Sequence, residues 1–184
     1  MLKQKVFIYL RSQKTLLSLE SNRIEMKLIN TELLDCITEK TKESSRKRMN
    51  HNFHETLDDP INRLINVIEP DSYVPPHRHL NPDKPEIAII LRGKAASLTF
   101  DNNGNILECI ILDPSTGNYG MEIDPGTWHS LLVLESGTAM YEVKPGPFAP
   151  LSPDNFAPWA PAASDEQAAK EYMEKIRTYV KNKA

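Results

Sequence analysis

With 184 residues, 40% of them hydrophobic and 26% charged, and a formal net charge of −3, the chain has material for one core-forming domain plus terminal additions. The near-neutral charge, with no basic run beyond Arg46-Lys47-Arg48, lacks the electrostatic footprint of a nucleic-acid binder. Cys36 and Cys109 lie in segments of different character, which argues against a disulfide framework and for a reducing cytoplasm. Fourteen prolines against seven glycines suit short strands joined by fixed turns, because proline presets the backbone torsion of turns and strand starts.

Taken in order, the N-terminus carries early positive charge and the short apolar run Val6 to Leu10 without a small-residue cleavage site, so neither a secretory signal nor a membrane helix is expected. Residues 1–25 read as an extension of unknown role, residues 26–160 as the domain proper and residues 161–184 as a C-terminal helix. Asn30 or Thr31 can cap a first helix, with Leu33, Leu34 and Ile37 on one face, that runs out in the charged stretch Glu43 to Arg48. Asn50 to His54 is polar and irregular, and Asp58-Asp59-Pro60 reads as a turn.

Short apolar runs then follow one another: Arg63 to Glu69, Ser72 to Pro75, Glu86 to Leu91, Ala95 to Phe100, Ile106 to Leu112, Tyr119 to Ile123, Trp128 to Leu134 and Ala139 to Val143. Short strands joined by tight turns, with no helical crossovers between them, predict an antiparallel β-sandwich or barrel. The proline-rich stretch Pro145 to Pro161 is expected to be irregular and pinned by Phe148, Phe156 and Trp159. Ser164, with Gln167 three residues on, forms a capping box that opens a helix to about Lys181.

Between the second and third runs stands His77-Arg78-His79. Side chains alternate along an extended segment, so the two imidazoles share a side and form a two-toothed metal clamp. Glu86 opens the next run and can add an oxygen ligand, and His129 follows the Pro125-Gly126 turn. Three imidazoles and one carboxylate suit one divalent transition metal (Fe, Mn, Ni or Zn) with positions left for water or substrate. Trp128 could stack on a sugar ring, although the same alternation more simply places it opposite His129 in the outer packing.

The spacing His77-x-His79, Glu86 with six residues before Gly93, and Gly126-x2-His129 resembles the two-motif signature of cupins. Asp71 stands where that signature has its first glycine, six residues separate His79 from Glu86, Pro125 directly precedes Gly126, and Val133 replaces a final asparagine. The runs Arg46-Lys47-Arg48-Met49-Asn50-His51-Asn52-Phe53-His54, Arg63-Leu64-Ile65-Asn66, Ser72-Tyr73-Val74-Pro75-Pro76-His77-Arg78-His79, Lys84-Pro85-Glu86 and Trp128-His129 resemble the WbuC family, cupin-fold metalloproteins associated with bacterial O-antigen and exopolysaccharide synthesis.

This resemblance implies a mainly β cupin double-stranded β-helix, an antiparallel β-sandwich or barrel with an N-terminal and a C-terminal helix, holding metal through His77, His79, Glu86 and His129. It further places His51 and His54 in the family's own polar run, where one or the other could serve as proton carrier, an imidazole titrating near neutrality, or both could belong to a surface loop; Arg48, Arg63, Tyr73 and Arg78 are candidate contacts for an anionic or sugar substrate. The expected partner is a small molecule, a nucleotide-linked sugar among the candidates, with no nucleic acid or membrane involved and a homodimer compatible. Two functions remain open from sequence: a metal-dependent enzyme acting on a sugar intermediate of surface-polysaccharide synthesis, and a non-catalytic cupin that binds metal or sugar as a sensor or accessory protein.

Overall fold

The computed structural model describes residues 26–183, so the N-terminal extension lies outside the described residues. Helix α1, Thr31–Glu43, buries Leu34, Ile37, Thr38 and Thr41, positions spaced to form one stripe. Its two buried threonines satisfy themselves within the helix, Thr38 Oγ1 donating to the Leu34 carbonyl at 2.7 Å and Thr41 Oγ1 to that of Ile37 at 2.9 Å. The stripe packs with Ile65, Val67 and Ala139 of the sheet beneath, each fully buried Leu, Ile or Val side chain contributing about 1.5–3 kcal/mol.

Eight strands follow: β1 Arg48–Asn52, β2 Ile61–Ile68, β3 Glu86–Arg92, β4 Ala95–Phe100, β5 Ile106–Leu112, β6 Gly120–Ile123, β7 Trp128–Val133 and β8 Thr138–Pro145. They form a five-stranded sheet, β1-β2-β8-β3-β6, and a three-stranded sheet, β5-β4-β7. Every strand pairing is antiparallel. No closed barrel forms among the described residues; the two sheets make a sandwich.

Two expectations are corrected here. Ser72 to Pro75 is not a strand; the extended chain instead meets β7 a little later, where His77 bridges His129, and it meets Phe156 on its other side. The stretch expected to be irregular from Asn50 begins as edge strand β1, because its backbone pairs with β2 from Arg48↔Ile68 to Asn52↔Leu64. With the His77 segment placed beside β7, the orders β2-β8-β3-β6 and His77 segment-β7-β4-β5 are those of an eight-stranded jelly roll, and β1 extends one edge.

The space between the sheets is filled at one end by Ile68, Ala88, Ile90, Ala95, Leu112, Val133 and Met140. On the outer face of the smaller sheet, Leu98, Phe100, Trp128 and Leu132 pack against Met173 and Val180 of helix α2, Glu166–Lys181. Asp165 rather than Ser164 caps that helix, its carboxylate accepting from the Ala168 N–H at 3.1 Å. The buried line is accordingly Ala169, Met173 and Val180.

Candidate metal centre

The other end of the sandwich interior is polar. Inward positions of β2, β3, β7 and β8 place Asn62, Asn66, Glu86, His129, Glu142 and Lys144 around a cavity of about 570 Å³, and the His77 segment adds both of its histidines. The backbone holds that segment in place: the His77 and His129 amides each donate to the other's carbonyl at 2.9 Å, while Ala157 N–H donates to the Pro76 carbonyl and Arg78 N–H to that of Asn155, both at 2.9 Å.

One ligand atom from each of His77, His79, Glu86 and His129 lies within 4.8 Å of the others. The ring centroids of His77 and His129 are 4.3 Å apart, those of His77 and His79 5.1 Å, and those of His79 and His129 5.4 Å. Backbone carbonyls two residues upstream orient two of the rings: Nδ1 of His77 is 2.9 Å from the Pro75 oxygen, and Nδ1 of His129 is 2.8 Å from that of Thr127. Such contacts place the proton on Nδ1 and leave Nε2 as the lone-pair nitrogen, the arrangement a metal-binding imidazole requires.

Two observations test the fit of a metal. His129 is 4% exposed, and among the described residues its Nε2 has no hydrogen-bond partner, an omission that costs about 1–3 kcal/mol unless a ligand is bound. Burial, reinforced by the neighbouring His129, holds the His77 imidazole neutral by lowering its pKa to about 3, and neutral imidazole is the ligating form. The residues fit a divalent transition metal.

Glu86 is the hub of the cluster. Its Oε2 lies 2.8 Å from Nε2 of His79, 3.0 Å from Nζ of Lys144 and 3.7 Å from Nε2 of His129. Burial alone would raise its pKa; the Lys144 ammonium and the two histidines outweigh burial and hold the carboxyl well below its usual range. Lys144 also lies 3.4 Å from Glu142, whose other oxygen accepts from Asn66 Nδ2 at 2.7 Å. Burial and then the nearby Glu86 raise the Glu142 carboxyl despite Lys144. The two carboxylates more than offset the burial of Lys144, whose pKa is raised.

The remaining candidates divide. Arg48 lines the cavity, held by Nη1 donating to the Tyr73 carbonyl and, at 3.3 Å, to Ser72 Oγ. The other substrate candidates are not brought to it. Arg63 turns to Asp59, Nη2 to Oδ2 3.0 Å. Tyr73 donates from its hydroxyl to the Pro161 carbonyl at 2.9 Å and packs in the outer cluster, and Arg78 stacks over Trp128 at 4.2 Å.

The structure does not bring His51 and His54 to the cluster either. His51 stands opposite Ile65 in the register, with its ring edge-on to Phe53 at 5.1 Å. His54 Nδ1 accepts from the Arg63 N–H at 3.2 Å. Sequence reasoning missed Glu142, Lys144 and Asn66. The one available signal was the period-two row Met140, Glu142 and Lys144, all on the same face of β8.

Residues 29–112 match the model of a domain of unknown function, DUF6016. No curated protein matches the chain. Among similar solved structures, BH2720 from Bacillus halodurans is 15% identical, covering 70% of this chain and 87% of that one with a TM-score of 0.45. KdgF from a Halomonas species is 14% identical over 53% and 79%, TM-score 0.43. A cupin 2 domain-containing protein from Halorhodospira halophila is 17% identical over 67% and 79%, TM-score 0.41. The jelly-roll strand order, with three imidazoles and a carboxylate gathered inside it, defines this chain as a cupin-fold protein with a cluster that could hold a metal ion. No helix among the described residues is long and apolar enough to cross a membrane.

Proposed function

We propose that the chain is a metal-dependent cupin that acts on a small, oxygen-rich substrate in its interior cavity, with an intermediate of bacterial surface-polysaccharide synthesis as the substrate suggested by the WbuC resemblance. The observation that carries this reading is the cluster of His77, His79, Glu86 and His129 on the wall of a cavity of about 570 Å³, a size suited to a small-molecule ligand. His77, His79, Glu86 and His129 would hold one divalent metal. Bound there, the metal supplies Lewis acidity to a carbonyl or hydroxyl oxygen.

The chain's own groups do the rest. The carbonyls of Pro75 and Thr127 fix the two rings that face each other, and Lys144 holds Glu86 ionised. Glu142 stands in the same cavity, where its raised carboxyl can hold a proton. It replaces His51 and His54 as the proposed proton carrier, since it lines the cavity and they do not.

Contact between Lys144 and Glu86 favours a second reading, a non-catalytic sugar-binding cupin, because an ammonium already neutralises the carboxylate. Elemental analysis of the purified protein, followed by incubation with free and nucleotide-linked deoxy- and amino-sugars while monitoring solvent deuterium exchange, product mass and oxygen uptake, separates the two. Bound metal with exchange or turnover that is lost in Glu142→Gln supports the enzyme. Saturable sugar binding with none of these supports the binding protein.

A further inference from the structure

Strand β1 is an edge strand whose inward side chains add nothing to the apolar core. Arg48 and Asn50 face the cavity from it, Asn62 and Asn66 face the cavity from β2, and Arg46 lines it from just before β1. Asn50 and Asn66 are direct partners across the two strands, so their side chains are neighbours on the inner face. The amide oxygen of Asn66 is buried without a hydrogen-bond partner among the described residues.

Among the described residues no carboxylate forms an ion pair with Arg46 or Arg48. Burial, then the proximity of Arg46, lowers the Arg48 pKa to about 10, against the opposing pull of Glu142. Two neighbouring guanidiniums, one of them anchored through Nη1 to Ser72 and Tyr73, make a forked cationic site matched to an oxyanion.

We propose that Arg46 and Arg48 bind the anionic group, a phosphate or a carboxylate, of a hydroxylated small molecule whose uncharged portion lies along Asn50, Asn62 and Asn66 in the same cavity as the histidine cluster. This names the substrate class of the site above and rests on that cavity being the ligand site. A neutral polyol would leave the guanidiniums uncompensated. An anionic one satisfies them at one end and presents hydroxyls to the amides.

The test uses the full chain as purified, with D-glucose 6-phosphate, D-gluconate and neutral sorbitol as probes, binding followed by ligand-observed NMR, and metal content measured on the same samples. At least one anion is expected to bind saturably where sorbitol does not, and comparing the two assigns phosphate or carboxylate. Arg46→Gln, at an exposed position, is expected to weaken that binding about tenfold, a charge-assisted hydrogen bond's worth, without moving the melting temperature, and Arg46→Lys to retain most of it. Sorbitol binding as tightly as the anions, no saturable binding of either anion, or equal affinity in Arg46→Gln would overturn the proposal. Arg46-dependent binding by metal-free samples defeats only the metal assignment, and Arg46-independent binding by metal-loaded samples defeats only the anion site.

Discussion

His77 and His129, fifty-two positions apart in sequence, exchange both backbone hydrogen bonds at 2.9 Å and so launch their imidazoles from adjacent points of one sheet. Two of the proposed metal ligands are thus placed by main-chain pairing, which side-chain truncation leaves intact.

Single truncation should therefore remove metal without unfolding the chain. In His77→Ala and in His129→Ala, metal content is expected to drop from about one equivalent to under about a tenth, as loss of one of four ligands implies, while the far-ultraviolet spectrum stays native. Elemental analysis decides, and native metal content in both variants would remove these residues from the ligand set.

Lys144 compensates two buried carboxylates, Glu86 at 3.0 Å and Glu142 at 3.4 Å. Replacing it by Met in chelator-treated protein should cost about 3–5 kcal/mol at neutral pH, the effect of stranding buried charge. Freed of the ammonium, both carboxyls take up protons more readily in the fold. The deficit should therefore shrink as pH falls from neutral toward the ordinary carboxyl value of 4.5, because burial without the ammonium raises both groups above it. Urea unfolding across that range tests it, and a pH-independent deficit would point to lost packing instead.

The depressed His77 pKa gives metal-free protein a second pH dependence. Unfolded, this imidazole takes up a proton at its ordinary 6.5; folded, it resists until about 3. Stability is therefore full above 6.5 and falls as pH drops through that window, by at most about 1.4 kcal/mol per pH unit for one proton. His77→Gln should lose that slope. Parallel curves for the two proteins between pH 6.5 and 4 would contradict the assignment.

Gly93 turns the chain from β3 to β4 at φ +82°, and a Cβ there would come 2.3 Å from Thr138 Oγ1 and 2.8 Å from the Thr138 Cα. Gly93→Ala should cost at least about 1–3 kcal/mol from the left-handed backbone alone. Thr138→Ala should not rescue it, because the contact with the Thr138 Cα remains. Thermal melts of the single and double variants measure this.

Much of this was legible in the sequence. The short apolar runs Glu86 to Leu91 and Ala95 to Phe100, bounded by turn residues, placed β3 and β4, and the spacing of His77-x-His79, Glu86 and His129 pointed to the cluster. Strand β1 was not legible, because Arg-Met-Asn-His-Asn has no apolar face; its pairing comes from β2, not from its own side chains. Glu142 and Lys144 were hidden for a related reason. Ala139, Tyr141 and Val143 form the apolar row of β8, which suggests that the charged row meets solvent. Helix α1 packs over Ala139 and Tyr141 on that apolar side, and the charges face the cavity. The placement of His51 and His54 away from the cavity was not legible, because a polar run near an edge reads the same whether its side chains enter the sandwich or leave it.

The bridge from Phe156 to the far side of the His77 segment has a consequence for solubility. A chain ending at Val143 would keep all four histidine and glutamate ligands, yet the segment carrying two of them would become a bare margin of the smaller sheet. Its unpaired N–H and C=O groups would be open to the matching row of another molecule. The stretch from Pro150 to Pro158 covers that margin, and its prolines, which lack an N–H, make a poor template for a further strand. The irregular tail thus guards against edge-to-edge polymerisation.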